Sequence, residues 1–329
     1  MGYRGTLRSI AAAARRHERE QARQQRRMEL EQKQSAKMEA AEQARHEVEM
    51  YDSEVESLLS VHKHCLEPID WREILSRPEP AKPVHGHELE RAAQIALDTY
   101  QPGFFIRTLK LESWRREKLV NAVAAAKNKE AATYEQACRE YTTALGEWHE
   151  NHTLAEKVLS GDFDAFCEAI RQCDPFSDIH EGGKIEIRAA AGGLLEAELI
   201  ANSSEVIPAE SKTLLASGRV STKVIPKAQH WKMYQDFICG SVLRIGRELF
   251  AVLPIERALV TVVGETLDTS TGELKKAPIV SAVLVRQTMS HLNFARLDCT
   301  DALDKFVHNM SFKKTVGFSP VDRATLSGA

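Results

Sequence analysis

Between Thr6 and Glu67 the chain runs for 62 residues without a glycine or a proline. These two residues most disfavour a helix interior, and the run is rich in Ala, Glu, Gln, Arg and Met, all good helix formers. A long helix is the first consequence. At ~1.5 Å rise per residue it reaches roughly 90 Å, beyond the diameter of a small domain, so it must project, dimerise or fold back.

Charge changes sign along this run. Residues 1–27 carry eight arginines against Glu18 and Glu20, whereas residues 28–58 carry three basic side chains against nine acidic ones. A basic tip therefore precedes an acidic shaft. Arg15, Arg16, Arg19, Arg23, Arg26 and Arg27 are the candidate contacts for nucleic acid or another polyanion, and a solvated charged helix face is the plainer reading. Residues 15–37 offer few apolar side chains. From Ala41 onward Ala41, Ala44, Val48, Tyr51, Val55, Leu58, His62 and Cys65 follow the 3-4 spacing of heptad a and d positions, so this half requires a partner helix.

Prolines 68, 78, 80 and 83 with Gly86 then break the chain, and a short helix over Glu88–Asp98 precedes the turn at Gln101-Pro102-Gly103. A second proline-free stretch from Ser113 to about Leu159 repeats the heptad rhythm through Tyr134, Cys138, Tyr141, Leu145 and Trp148. The two seams predict an antiparallel helical hairpin, with self-association of either helix as the alternative. Ser160-Gly161-Asp162 ends this helix and caps another over Phe163–Gln172.

Past Gly182-Gly183 the pattern becomes mixed. Lys184–Arg188 and Leu194–Ala201 read as a hairpin, Arg219–Ile225 as a further strand, Trp231–Leu253 as a helix apolar nearly all round, and Ala258–Val263 with Ile279–Val285 as central strands apolar on both faces. A last helix is expected from Thr300 to Met310. The fold class is α+β: a long helical, coiled-coil region followed by a sandwich of order ββαββα with a mainly antiparallel sheet. The expected segments are 1–67, 68–112, 113–179 and 180–329, the last able to fold alone.

Chemistry is thinly signalled. The core helix carries His230, Tyr234, Asp236, Arg244, Arg247 and Glu248 among apolar neighbours; Arg244 and Glu248 stand four apart and can pair, and the group is otherwise the candidate ligand pocket. His62, His64, Cys65, His85 and His87 gather around the proline-rich linker without an established zinc spacing, so no metal and no cofactor is expected. Asp178, Glu186 and Arg188 resemble a nuclease constellation only loosely, and charge alternation on an edge strand accounts for Glu186 and Arg188. Lys313 and Lys314, with Arg286 and Lys305, form a weak basic patch. Met1-Gly2 through Thr6 matches a myristoylation pattern too short to carry weight.

The chain contains no G-x-x-x-x-G-K-[ST], G-x-G-x-x-G, H-E-x-x-H or G-x-S-x-G. No apolar stretch approaches a membrane span, no signal peptide is visible, and the six cysteines are scattered without a C-x-x-C pair, the pattern of free thiols in the cytoplasm. The functional expectation is a non-enzymatic oligomeric scaffold or adaptor whose partners are further copies or another protein, met through the helices. A nucleic-acid-associated protein using the arginine-rich tip, as in a bacterial processing or defence system, is the alternative, and an enzyme of unfamiliar class the third.

Overall fold

The computed structural model describes residues 3–103, 106, 111–177, 179, 183–190, 194–267 and 271–325, with side chains for these except 3–27, 29, 31 and 267. It is a mixed α+β chain in two compact units. One comprises Met1–Glu67 with Asp174–Ala329, and the other Pro68–Cys173. The long N-terminal helix thus belongs with the C-terminal α+β region, and residues 180–329 are only part of a unit.

In the first unit, α1 spans Tyr3–Ser60 and ends in a 3-10 turn, Val61–Lys63. Six strands form the main sheet. They are β1 (Gly183–Ala189), β2 (Leu195–Ala201), β5 (Arg257–Leu267), β6 (Leu274–Val285), β7 (Val307–Lys313) and β8 (Gly317–Ser319), adjacent in that order. Every pairing is antiparallel except β2 with β5, which run parallel. Parallel neighbours need a crossover. Here the crossover holds a separate hairpin, β3 (Glu210–Leu214) with β4 (Val220–Val224), followed by the core helix.

That core helix spans Lys227–Val252, and 17 of its 26 residues are buried. A helix apolar nearly all round must be covered nearly all round. Its glycines mark where neighbours come closest: a Cβ on Gly246 would meet Leu284 Cδ1 of β6 at 2.2 Å, and one on Gly240 would meet Val61 Cγ1 of the 3-10 turn at 3.1 Å. The sheet therefore covers one side and the end of α1 another.

The heptad seam of α1 is the face that becomes covered. Ala41, Ala44, Val48, Tyr51, Val55, Leu58, His62 and Cys65 are all buried or half-buried, while residues 32–40 are exposed throughout. Its covering elements in this unit are the β3–β4 hairpin and the core helix. A Cβ on Gly218, in the hairpin turn, would sit 3.2 Å from Ala41 Cβ, and Lys212 of β3 pairs with Glu47 at 2.8 Å.

The expected helix over 300–310 is a shorter one, Cys299–Leu303, followed by strand β7. Asp298 caps the helix, accepting from the Thr300 and Asp301 amides at 2.8 and 3.2 Å. Beyond it, Val307 to Met310 pair with Val283 to Val280 of β6. Pairing along an otherwise open sheet edge outweighs the weak helical rhythm of those residues.

The second unit contains α2 (Trp71–Ser76), α3 (Glu88–Asp98), α4 (Glu112–Ser160) and α5 (Phe163–Cys173). The seam of α4 is covered by the segment before it. Trp148 Nε1 donates to the Arg77 carbonyl at 2.9 Å, His85 packs at a tilt against Tyr134 with ring centroids 4.7 Å apart, and α3 packs against the helix. The stop and cap at 160–162 form as the residues dictate: Gly161 adopts φ 83°, and Asp162 accepts from the Asp164 amide at 2.9 Å.

Candidate functional site

The core helix, α6 in chain order, distributes the six expected pocket residues over three surroundings. His230 meets Trp231 edge to face, and Tyr234 donates its hydroxyl to the Asn202 carbonyl at 2.9 Å between Trp231 and Phe318. Burial is the main cause that pushes the Tyr234 hydroxyl up to about 12. Asp236 pairs with Lys232 at 2.6 Å, and Asp298 approaches the same ammonium at 3.7 Å.

Arg244, Arg247 and Glu248 are brought together, and what they hold is the end of α1. Glu248 is fully buried, pairs with Arg244 Nε at 2.7 Å, and accepts from the Leu66 amide at 3.2 Å with both oxygens. Arg247 Nη1 donates to the carbonyls of His62, Lys63 and His64 at 2.6, 3.2 and 3.4 Å, and its guanidinium lies 4.0 Å from the Phe294 ring centre. A helical end leaves its last carbonyls without internal donors, so this arginine supplies from α6 the donor for the 3-10 turn that follows α1. His62 is buried beside it. Burial first, then Lys63 and Arg247, lower its pKa, which keeps the imidazole neutral.

The opposite face of the sheet carries a feature that sequence reading missed. Register places Glu186, Glu198, Thr261, Ser281 and Asn309 side by side across β1, β2, β5, β6 and β7. Thr261 and Ser281, both fully buried, share a hydrogen bond of 3.0 Å. Residues 320–325 strap this row: the Ala324 amide donates to Ser281 Oγ at 3.0 Å, and Asn309 Nδ2 to the Asp322 carbonyl at 2.9 Å. Arg323 forks between the buried carboxylates of Glu196 and Glu198, and Arg188 reaches Glu198 at 2.5 Å. The available signal was Glu196 and Glu198 two apart in an apolar strand, which puts two carboxylates on one face and requires cations to meet them.

Glu186 and Arg188 lie on β1, where hydrogen bonds from Lys184 and then Arg188 hold the Glu186 carboxyl below the usual range. Asp178 and the side chains of Arg15, Arg16, Arg19, Arg23, Arg26 and Arg27 lie outside the described residues. Arg286 is turned inward, donating to the Ile255 and Leu253 carbonyls at 2.8 and 2.5 Å, whereas Lys305, Lys313 and Lys314 are exposed.

Beside α1, Glu47, Tyr51 and Glu54 together with Glu205, Glu210 and Lys212 line a cavity of about 610 Å³, strongly acidic in its walls. Among the described residues, His87, Glu90 and Glu130 form the group of ligating side chains close enough to share a metal ion, and no helix is long and apolar enough to cross a membrane. No family model, curated protein or solved structure matches the chain.

Proposed function

We propose that the protein is a non-enzymatic scaffold that assembles through the first half of α1. The observation that carries this reading is the division of that helix. From Ala41 on it is built into the α+β unit by its seam, by the β3–β4 hairpin and by the Arg247 clamp, whereas residues 32–40 touch no covering element and Met38 is 73% exposed. A helix rooted from Ala41 onward and exposed over residues 32–40 acts as an arm.

Its charge suggests the occupant. The basic tip and the acidic shaft balance, and the shaft continues into the acidic cavity lined by Glu47, Glu54, Glu205 and Glu210. The tip of one copy complements the shaft of another in a staggered pair. All six cysteines are free thiols, which supports a cytoplasmic setting.

Sedimentation of the full chain and of a variant lacking residues 1–27 tests this. The full chain should sediment as an oligomer at 50 mM salt and dissociate towards 500 mM, since exposed charge pairs are screened within about 10 Å at 0.1 M. The truncated form should be monomeric. A full chain that stays monomeric at low salt, or an oligomer unchanged by the truncation, refutes the reading.

The arginine-rich tip also favours a second reading, in which the arm lies on a nucleic-acid backbone. Binding to a mixed-sequence duplex should then fall steeply with salt and disappear with residues 1–27.

A further inference from the structure

We propose that the helical unit holds one divalent transition-metal ion of the zinc class between His87, Glu90 and Glu130, against the expectation of no metal drawn from sequence spacing.

The site lies at the start of α3. His87 is its N-cap residue, yet the His87 side chain makes no capping hydrogen bond. Glu130, from the middle of α4, does so instead, its Oε1 accepting from the Leu89 amide at 2.5 Å. One oxygen of this carboxylate is thereby explained. The other, Oε2, is buried without a hydrogen-bond partner in a residue only 9% exposed. Buried carboxylate oxygens are rarely left unmet, because the charge has given up its water.

Two further ligating groups face this oxygen's carboxylate. One ligand atom from each of His87, Glu90 and Glu130 lies within 4.8 Å of the others. His87 Nδ1 and Glu90 Oε2 stand 3.6 Å apart, long for a hydrogen bond. Ligands about 2.0–2.1 Å from a tetrahedral zinc ion are separated by roughly 3.4 Å, so the spacing matches a pair bridged by an ion. His85 flanks the group, its ring centre 4.5 Å from that of His87.

Sequence position supports the same assignment. Glu130 stands four residues before Tyr134 and seven after Val123, on the covered face of α4, where an apolar residue belongs. One imidazole with two carboxylates suits zinc, with manganese or iron as weaker fits, and three protein ligands leave a coordination position open. The ion would tie α3 to α4 through the carboxylate that already caps α3.

Calorimetric titration of the chelator-treated full chain with zinc chloride tests this, with manganese and calcium chlorides as comparisons. The expected result is one zinc ion per chain, bound more tightly than manganese, with calcium silent. Glu130→Gln retains an oxygen to cap α3 but loses the anionic ligand, while His87→Ala and Glu90→Gln alter exposed or half-exposed positions that leave folding intact. Each should weaken zinc binding at least about tenfold. Absence of zinc binding, or one equivalent bound with unchanged affinity in all three variants, overturns the proposal. Zinc bound tightly by Glu130→Gln but not by His87→Ala also overturns it, because the buried carboxylate then serves only as a cap.

Discussion

Replacing Arg247 by methionine isolates the junction between α1 and the core helix. Methionine preserves much of the aliphatic stem and removes the guanidinium. What is lost is a charged donor shared by the His62, Lys63 and His64 carbonyls, the strongest contact being 2.6 Å, and a stacked cation 4.0 Å from the Phe294 ring. A hydrogen bond from a charged group contributes ~1.5–3 kcal/mol. A partly exposed cation–π contact adds ~0.5–1 kcal/mol. Added together the two terms give about 2–4 kcal/mol, the upper range of the expected loss because they share one side chain. For a unit of roughly 220 residues each kcal/mol lowers the melting temperature by ~2–4 °C, which gives a fall of about 4–16 °C. Scanning calorimetry should show one transition moving while that of the helical unit stays. Hydrogen exchange should quicken at residues 56–66, and Arg247→Lys should recover less than half the loss, because an ammonium cannot stack as a plane while it donates. A change below about 0.5 kcal/mol, with exchange at the end of α1 unaltered, would refute the clamp.

Three other outcomes can be measured. Gly240→Leu forces a side chain against Val61, His62 and Cys299 and should destabilise by ~1–3 kcal/mol, whereas Gly240→Ala should be nearly neutral, a helix gain of about 1 kcal/mol offsetting a tight 3.1 Å contact; equal effects of the two in chemical denaturation would contradict the packing. Cys239 and Cys299 are pushed up to about 12, mainly by burial, so the native state keeps protons that the unfolded chain releases from about pH 9. Stability should hold below pH 9 and decline between 9 and 12, with Tyr234 adding above about 10, and both thiols should resist alkylation at pH 8 until the protein is unfolded. Arg323→Met leaves the buried Glu196 and Glu198 short of a cation and should cost about 2–4 kcal/mol in chemical denaturation, less than for a fully buried pair because Arg323 is 39% exposed; a loss below about 0.5 kcal/mol would show that the fork contributes nothing to stability.

The face of α1 that becomes buried was legible residue by residue, because a 3-4 apolar rhythm is a local property of the chain. Its partner was not, because Ala41 to Cys65 ask only for some apolar cover. A hairpin and an all-apolar helix satisfy them as well as a second heptad helix does. The same holds for Tyr134 to Trp148, covered by residues 71–98. A glycine inside an apolar helix is a local signal of close approach, and at Gly240 and Gly246 the structure supplies the approaching atoms. Arg244, Arg247 and Glu248 were visible as charges in an apolar helix, and the Arg244–Glu248 pair with them, yet Arg247 and Glu248 meet backbone some 180 positions away, which no local pattern encodes. The polar row across the sheet depends on register between five strands, and Arg323 completes it from a segment with no periodicity.

The first unit is assembled from two stretches of chain with the whole helical unit between them. During synthesis α1 emerges long before Val252, the last residue of the helix that covers it. At ~5–20 residues per second, the intervening chain takes on the order of 10–40 s. Throughout that interval the seam from Ala41 to Cys65 is an amphipathic surface without its cover. The order of translation therefore exposes on every nascent chain a stripe that the finished protein hides.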